Sequence, residues 1–186
     1  MSQLTNCISA AQDFNPIDLI EITSVFEERN IKKGEYLIES GKVCREMAFI
    51  ESGYLRMWND MEDKEVTIWI GQEGTFITSV ASFVFETNSI WNIEAVTDCK
   101  IQSISKSKHV ALCQKFNSWL EFDNMLLARA YFVLENRFFN HLHTTSRERF
   151  EKLMNDCPKM FNSVPLQYIA SMIGVTPETL SRLRRS

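Results

Sequence analysis

The sequence of 186 residues predicts an α+β chain in three parts: a β-roll domain, one long helix, and a small C-terminal helical unit. Three observations carry this reading. Between residues 31 and 105 the runs EYLIES, REMAFIE, YLRMW, EVTIWIG, WNIEAVT and KIQSISK are separated by glycine-bearing turns. Strands of roughly six residues with turn signals about every 8–12 residues suggest a sandwich or a double-stranded β-helix (β-roll). From Ser118 to His141 the pattern becomes helical, with Leu120, Leu127, Leu134 and His141 recurring every seven residues. The chain closes on IASMIGVTPETLSRLRRS, two short amphipathic segments broken by glycine.

Composition narrows the class further. With 45% hydrophobic and 24% charged residues, the chain is globular rather than disordered. The start, MSQLTNCISAAQDFNP, has neither a basic n-region nor an apolar h-region, so no signal peptide is expected. No apolar run approaches the ~18 residues of a membrane span, so a cytoplasmic protein with no membrane partner is expected. Cys7, Cys44, Cys99, Cys113 and Cys157 are scattered without a C-x-x-C pair, which predicts reduced thiols rather than an iron–sulfur cluster. The formal net charge is −4, yet residues 147–186 hold seven basic against four acidic residues, a surplus of three that leaves −7 on the remainder. A basic terminal unit on an acidic body is a candidate for contacting a polyanion.

Taken in order, Pro16–Glu28 spaces Ile17, Ile20, Val25 and Phe26 as a helical face. In KIQSISK, Ile101 and Ile104 fall out of phase, which predicts a bulge in that strand. Lys106–Phe116 reads as a short helix before the long one. Besides the leucine stripe, with Tyr131 and Phe138 beside it, the long helix carries a second: Trp119, Phe122, Met125, Leu126, Phe132, Val133 and Phe139. A surface helix of a monomer needs one apolar stripe. Two predict packing on the β body and on a second copy, as a homodimer with Leu120, Leu127, Tyr131, Leu134 and Phe138 at the seam; burial of both stripes within one chain is the competing expectation. The expected domains are 1–116, 117–143 and 144–186.

In the closing stretch, Thr176 and Pro177 suit N-cap and N1 of a helix, and Gly174 suits the end of the helix before it. Ile169, Ala170 and Ile173 then face Val175, Leu180 and Leu183, the pattern of a helix-turn-helix. Glu178, Ser181, Arg182 and Arg185 fall on the outer face of the second helix, at i, i+3, i+4 and i+7. That face can enter a major groove, where arginine bonds guanine O6 and N7 together.

With IASMIGVTPETLSRLRR at the tail and the G-x-x-G-x-F run of GQEGTFITS in the roll, the chain resembles the cyclic-AMP receptor/fumarate-nitrate regulator (Crp/Fnr) transcription factors over almost its whole length. The resemblance implies a cyclic-nucleotide-binding-like roll, a long dimerisation helix and a winged-helix-like DNA-binding unit, acting on double-stranded DNA as a homodimer. It places Glu178, Ser181 and Arg182 where bases are read, and Thr176 and Thr179 at phosphates; Arg184 and Arg185, near the helix end, are expected at phosphates too. Members commonly continue into a β-hairpin wing, whereas this sequence stops at Ser186, so the wing is expected to be missing.

The resemblance also implies a Gly-Glu pair for ribose and an Arg-Ser or Arg-Thr pair for phosphate in cyclic-nucleotide binders. Here those positions read Thr78-Ser79 and Ser89-Ile90, and no arginine or lysine occurs between Lys64 and Lys100. Burying a phosphate without a basic partner is costly, so the roll is expected not to bind cyclic nucleotides. Phe76, Thr78, Ser79, Ser89, Trp91 and Asn92 are the candidate contacts for an unknown small-molecule effector; a filled core is the competing expectation. An enzyme of the cupin kind is not expected, because His109, His141 and His143 all lie on predicted helices beyond the roll. No metal or cofactor is expected. The alternative to a regulator is a ligand-sensing or protein-interaction module with a vestigial DNA-binding unit.

Overall fold

The computed structural model describes residues 2–62 and 64–185. Helices α1 (Gln3–Ala11) and α2 (Pro16–Ser24) precede strands β1 (Glu27–Ile31), β2 (Tyr36–Ile38), β3 (Glu46–Ser52), β4 (Tyr54–Met61), β5 (Lys64–Gln72) and β6 (Phe76–Ile77). Helix α3 (Val80–Phe85) then interrupts the roll before β7 (Asn92–Ala95) and β8 (Cys99–Ser105). The strands form two antiparallel four-stranded sheets, ordered β1-β8-β3-β6 and β2-β7-β4-β5. Helices α4 (Lys106–Lys115), α5 (Asn117–His143), α6 (Ser146–Asp156), α7 (Met160–Ser163), α8 (Leu166–Ile173) and α9 (Pro177–Leu183) complete the chain.

Strands β3 and β8 of the first sheet bury apolar residues on both faces. Ala48, Ile50 and Ile101 face Leu55, Met57, Ile93 and Ala95 of the other sheet. Met47, Phe49 and Ile104 face the opposite way, onto Leu4, Ile8, Ile22, Leu112, Trp119 and Phe122 of the helices. This explains Ile101 and Ile104: side chains three apart point to opposite faces of a strand, and both are fully buried. The predicted bulge in β8 is therefore absent; the register shift lies across from it, in β3 between Ile50 and Ser52.

The N-terminal helices differ from expectation. Helix α2 stops at Ser24, and its buried residues are Leu19 and Ile22, while Ile17 and Ile20 are 74% and 70% exposed. Glu27–Ile31 leaves the helix because it pairs with Cys99–Ser103 of β8. Helix α1 was not anticipated; Ser2 caps it through Thr5 N–H at 3.1 Å, and Leu4 and Ile8, one turn apart, are fully buried.

Helix α5 is 27 residues long, or about 40 Å. Its first turns are buried against the body through Trp119, Phe122, Met125 and Leu126. Phe132 and Phe139 of the second predicted stripe are instead exposed, 62% and 60%, while Arg137 between them is the residue that meets the roll. The C-terminal helices gather around Phe150, Phe161, Ile169, Ala170 and Leu180, a core that also takes in Ile70 and Val96 of the roll. Helix α8 docks on β5: Thr67 N–H donates to Ser171 Oγ at 2.9 Å, and Ser171 Oγ donates to Glu65 O at 3.1 Å. Arg137 of α5 pins the junction by donating to Met172 O at 2.9 Å and to Ile68 O.

Candidate nucleic-acid interface and the roll

The turn between α8 and α9 is set by Gly174, whose φ of 71° lies in the left-handed region. A Cβ there would also come within 2.5 Å of His141 Nε2 on α5, so the position needs glycine for conformation and for space. Thr176 caps α9 by accepting from Thr179 N–H at 3.3 Å, and Pro177 occupies the first turn. The helix before it has Pro165 as its N-cap. Leu180 is fully buried, which turns the other side of α9 outward.

Thr176, Glu178, Arg182, Arg184 and Arg185 are exposed, and Thr179 and Ser181 half-buried. Arg182 Nη2 and Thr176 Oγ1 both donate to Thr179 Oγ1, each at 3.2 Å, so the cap and the mid-helix arginine share one hydroxyl. The Glu178 carboxyl lies below its ordinary range because its own backbone N–H and then the Thr176 hydroxyl hydrogen-bond to it. The regular helix ends at Leu183, two residues short of Arg185, which continues in a tightened turn through its N–H to Arg182 O at 3.1 Å. The seven predicted DNA contacts therefore share one element and its C-terminal turn. Other basic residues of the region serve the scaffold: Arg149 donates to Ile173 O at 2.9 Å and to Thr144 O at 2.6 Å. Arg147 and Lys152 pair with Glu151 and Asp156 at 3.6 Å and 3.1 Å.

The five predicted seam residues lie on α5 and face out of the chain: Leu120 and Leu127 are 39% and 37% exposed, Leu134 56%, and Tyr131 and Phe138 66% and 69%.

The six candidate effector contacts do not form one pocket. Ser79 and Ser89 are 2% and 3% exposed, and Ser89 Oγ donates to Ser79 Oγ at 2.9 Å. Trp91 joins them by donating its backbone N–H to Ser89 Oγ at 3.0 Å. Phe76 points to the helical side instead, edge-on to Phe49 and Phe122 at 5.1 and 5.9 Å between centroids. Thr78 donates to Glu46 O at 2.9 Å, and Asn92 Oδ1 accepts from Ser40 N–H at 2.9 Å, so both act as loop fasteners. A cavity of about 410 Å³ opens at the β1–β2 end of the roll, lined by Leu37, Ile38, Val43, Cys44 and Arg45 among others, and by none of these six.

Sequence reasoning passed over one cluster, His109, Cys113 and Asp123, whose ligand-capable atoms all lie within 4.8 Å of one another. Its signal was the i, i+4 spacing of His109 and Cys113, one helical face; Asp123 comes close only through the fold.

The roll, the long helix and the C-terminal helix-turn-helix together are similar in fold to solved structures of Crp/Fnr regulators. Residues 28–116 match the cyclic nucleotide-binding domain family. Among solved structures, FixK2 from Bradyrhizobium japonicum aligns with a TM-score of 0.77 at 15% identity, over 87% of this chain and 83% of that one. A putative Crp/Fnr regulator from Eubacterium rectale aligns at 0.71 and 17% identity, over 97% and 86% of the two chains. The c-di-GMP responsive global regulator CLP of Xanthomonas campestris aligns at 0.71 and 13%, over 92% and 90%. At these identities the likeness is one of fold. No curated protein matches the chain in sequence. Among the described residues no helix is long and apolar enough to cross a membrane.

Proposed function

We propose that this chain is a DNA-binding transcriptional regulator that acts as a homodimer and whose roll does not take cyclic nucleotides. One observation carries the DNA-binding reading: α9 buries Leu180 completely while Glu178 and Arg182 stay exposed on its opposite side, followed by Arg184 and Arg185. A helix presented this way offers base-reading and phosphate-binding groups together. The outward apolar residues of α5 support the dimer, because a contiguous apolar face of this length is normally covered by a partner. A two-fold axis along α5 would set two α9 helices into successive major grooves, about 34 Å apart.

The closed Ser79–Ser89 pair supports the loss of cyclic-nucleotide binding. Neither hydroxyl can neutralise a phosphate, and opening the pair would leave two buried polar groups to re-solvate. The test of the DNA reading is mobility-shift selection from random duplexes. Enrichment of a palindrome is the expected result; no enrichment at any salt concentration would favour a sensor or protein-interaction module instead.

A further inference from the structure

At the elbow between α4 and α5, His109, Cys113 and Asp123 converge inside an otherwise apolar core. His109 and Cys113 sit one turn apart on α4, and Asp123 reaches them from α5 after the chain turns at Phe116. The His109 ring is 5% exposed and held edge-on by Phe83 and Trp119, with centroids at 5.3 and 5.9 Å. Its Nε2 stands 3.4 Å from Asp123 Oδ2 and 3.6 Å from Cys113 Sγ.

Both separations from Nε2 match those of ligands around a metal, and the sulfur and the carboxylate lie within 4.8 Å of each other. Metal bonds of roughly 2.0–2.1 Å to nitrogen, 2.1 Å to oxygen and 2.3 Å to sulfur, at tetrahedral angles, place N and O about 3.4 Å apart and N and S about 3.5 Å apart. A charge-assisted hydrogen bond from imidazole to carboxylate would be shorter, about 2.7–2.9 Å.

We propose that His109, Cys113 and Asp123 bind a divalent transition-metal ion of the zinc class, with a fourth position left for water. Mixed nitrogen, sulfur and carboxylate donors select this class over magnesium and calcium, which take oxygen alone. The Asp123 side chain, 19% exposed, marks the side on which water enters. The ion would brace α4 against the base of α5, where the roll hands over to the long helix.

The full-length protein, stripped with chelator and kept reduced, is titrated with Co²⁺ alone. One equivalent per chain should bind, with a thiolate-to-cobalt charge-transfer band and the visible bands of a tetrahedral ion, both bleached by Zn²⁺. Cys113→Ser should remove the charge-transfer band. Asp123→Asn, nearly isosteric, should weaken Co²⁺ binding roughly tenfold or more, since even outer-shell losses cost that much. Circular dichroism establishes that each variant is folded; should Cys113→Ser not fold, Asp123→Asn carries the test. A wild-type protein that binds no Co²⁺ overturns the proposal. So does a charge-transfer band that survives in folded Cys113→Ser, or Co²⁺ affinity unchanged in Asp123→Asn.

Discussion

The guanidinium of Arg56 lies 3.7 Å from the centroid of the Tyr168 ring, so a β4 side chain of the roll stacks on the first helix of the helix-turn-helix. Arg56 is 1% exposed, and it donates Nε to Thr67 Oγ1 at 2.8 Å and Nη1 to Glu65 Oε2 at 2.7 Å. Its charge is thus spent between the β4–β5 hairpin and α8. Arg56→Met keeps the volume but removes the stack and the pair, of which Glu65 is 49% exposed and screened. The expected loss is roughly 1–3 kcal/mol of unfolding free energy by urea titration. Hydrogen exchange should rise in α8 before β8; equal protection in both would mean that the stack does not couple the units.

Much of this arrangement is local in the chain and could be read there. Thr176, Pro177 and Gly174 announce their helix ends through their own backbone preferences, and the turn-separated strands announce a roll. Phe76 and Ile104 could not be read that way: which face of a strand meets ligand, sheet or helix depends on the layers around it. The same holds for Ile17 and Ile20, which look like a core face until Leu19 and Ile22 meet the roll. Asp123 illustrates the limit, since ten residues and a helix corner separate it from Cys113.

The dimer makes a sharper prediction. Leu127 and Leu134 lie two turns apart on the uncovered side of α5, 37% and 56% exposed in the single chain. Glutamate at both positions would bury charge without a partner in a second copy, so the double variant should sediment as a folded monomer while the wild type sediments as a dimer. An unchanged dimer would place the seam elsewhere.

Calorimetry at millimolar cyclic AMP or cyclic GMP should give no saturable heat. The hydroxyls of Ser79 and Ser89 are already joined at 2.9 Å, and neither carries charge. A micromolar dissociation constant for either nucleotide would defeat this reading.

His141 makes stability depend on pH. The side chain is largely exposed, but partial desolvation, then the charges of Arg149 and Arg137, holds its imidazole below the ordinary value of about 6.5. The folded state therefore takes up this proton later than the unfolded state, so stability is full above about pH 6.5 and falls as acid passes through the lowered folded value. Urea midpoints should drop between pH 7.5 and 5.5 more in the wild type than in His141→Gln, a comparison that cancels the other two histidines. Identical slopes would mean that the ring beside Gly174 is not held neutral.

The arginines of the closing helix should divide their work. Arg182 lies within α9 on its outward side, braced on Thr179 at 3.2 Å. In a groove it would meet base edges, and Arg182→Ala should cost roughly 1–3 kcal/mol and relax preference at one base pair of each half-site. Arg184 and Arg185 follow the last regular turn and are exposed, a position suited to the flanking phosphates. Alanine at either should weaken binding to all sequences alike and lower the salt slope by about one. The −7 remainder of the chain repels DNA from other directions, so it favours approach through α9. Titration of a selected duplex and its single-base variants over a salt series measures both effects. Uniform weakening by Arg182→Ala would assign it to phosphate as well, and unchanged binding in both variants would remove α9 from the interface.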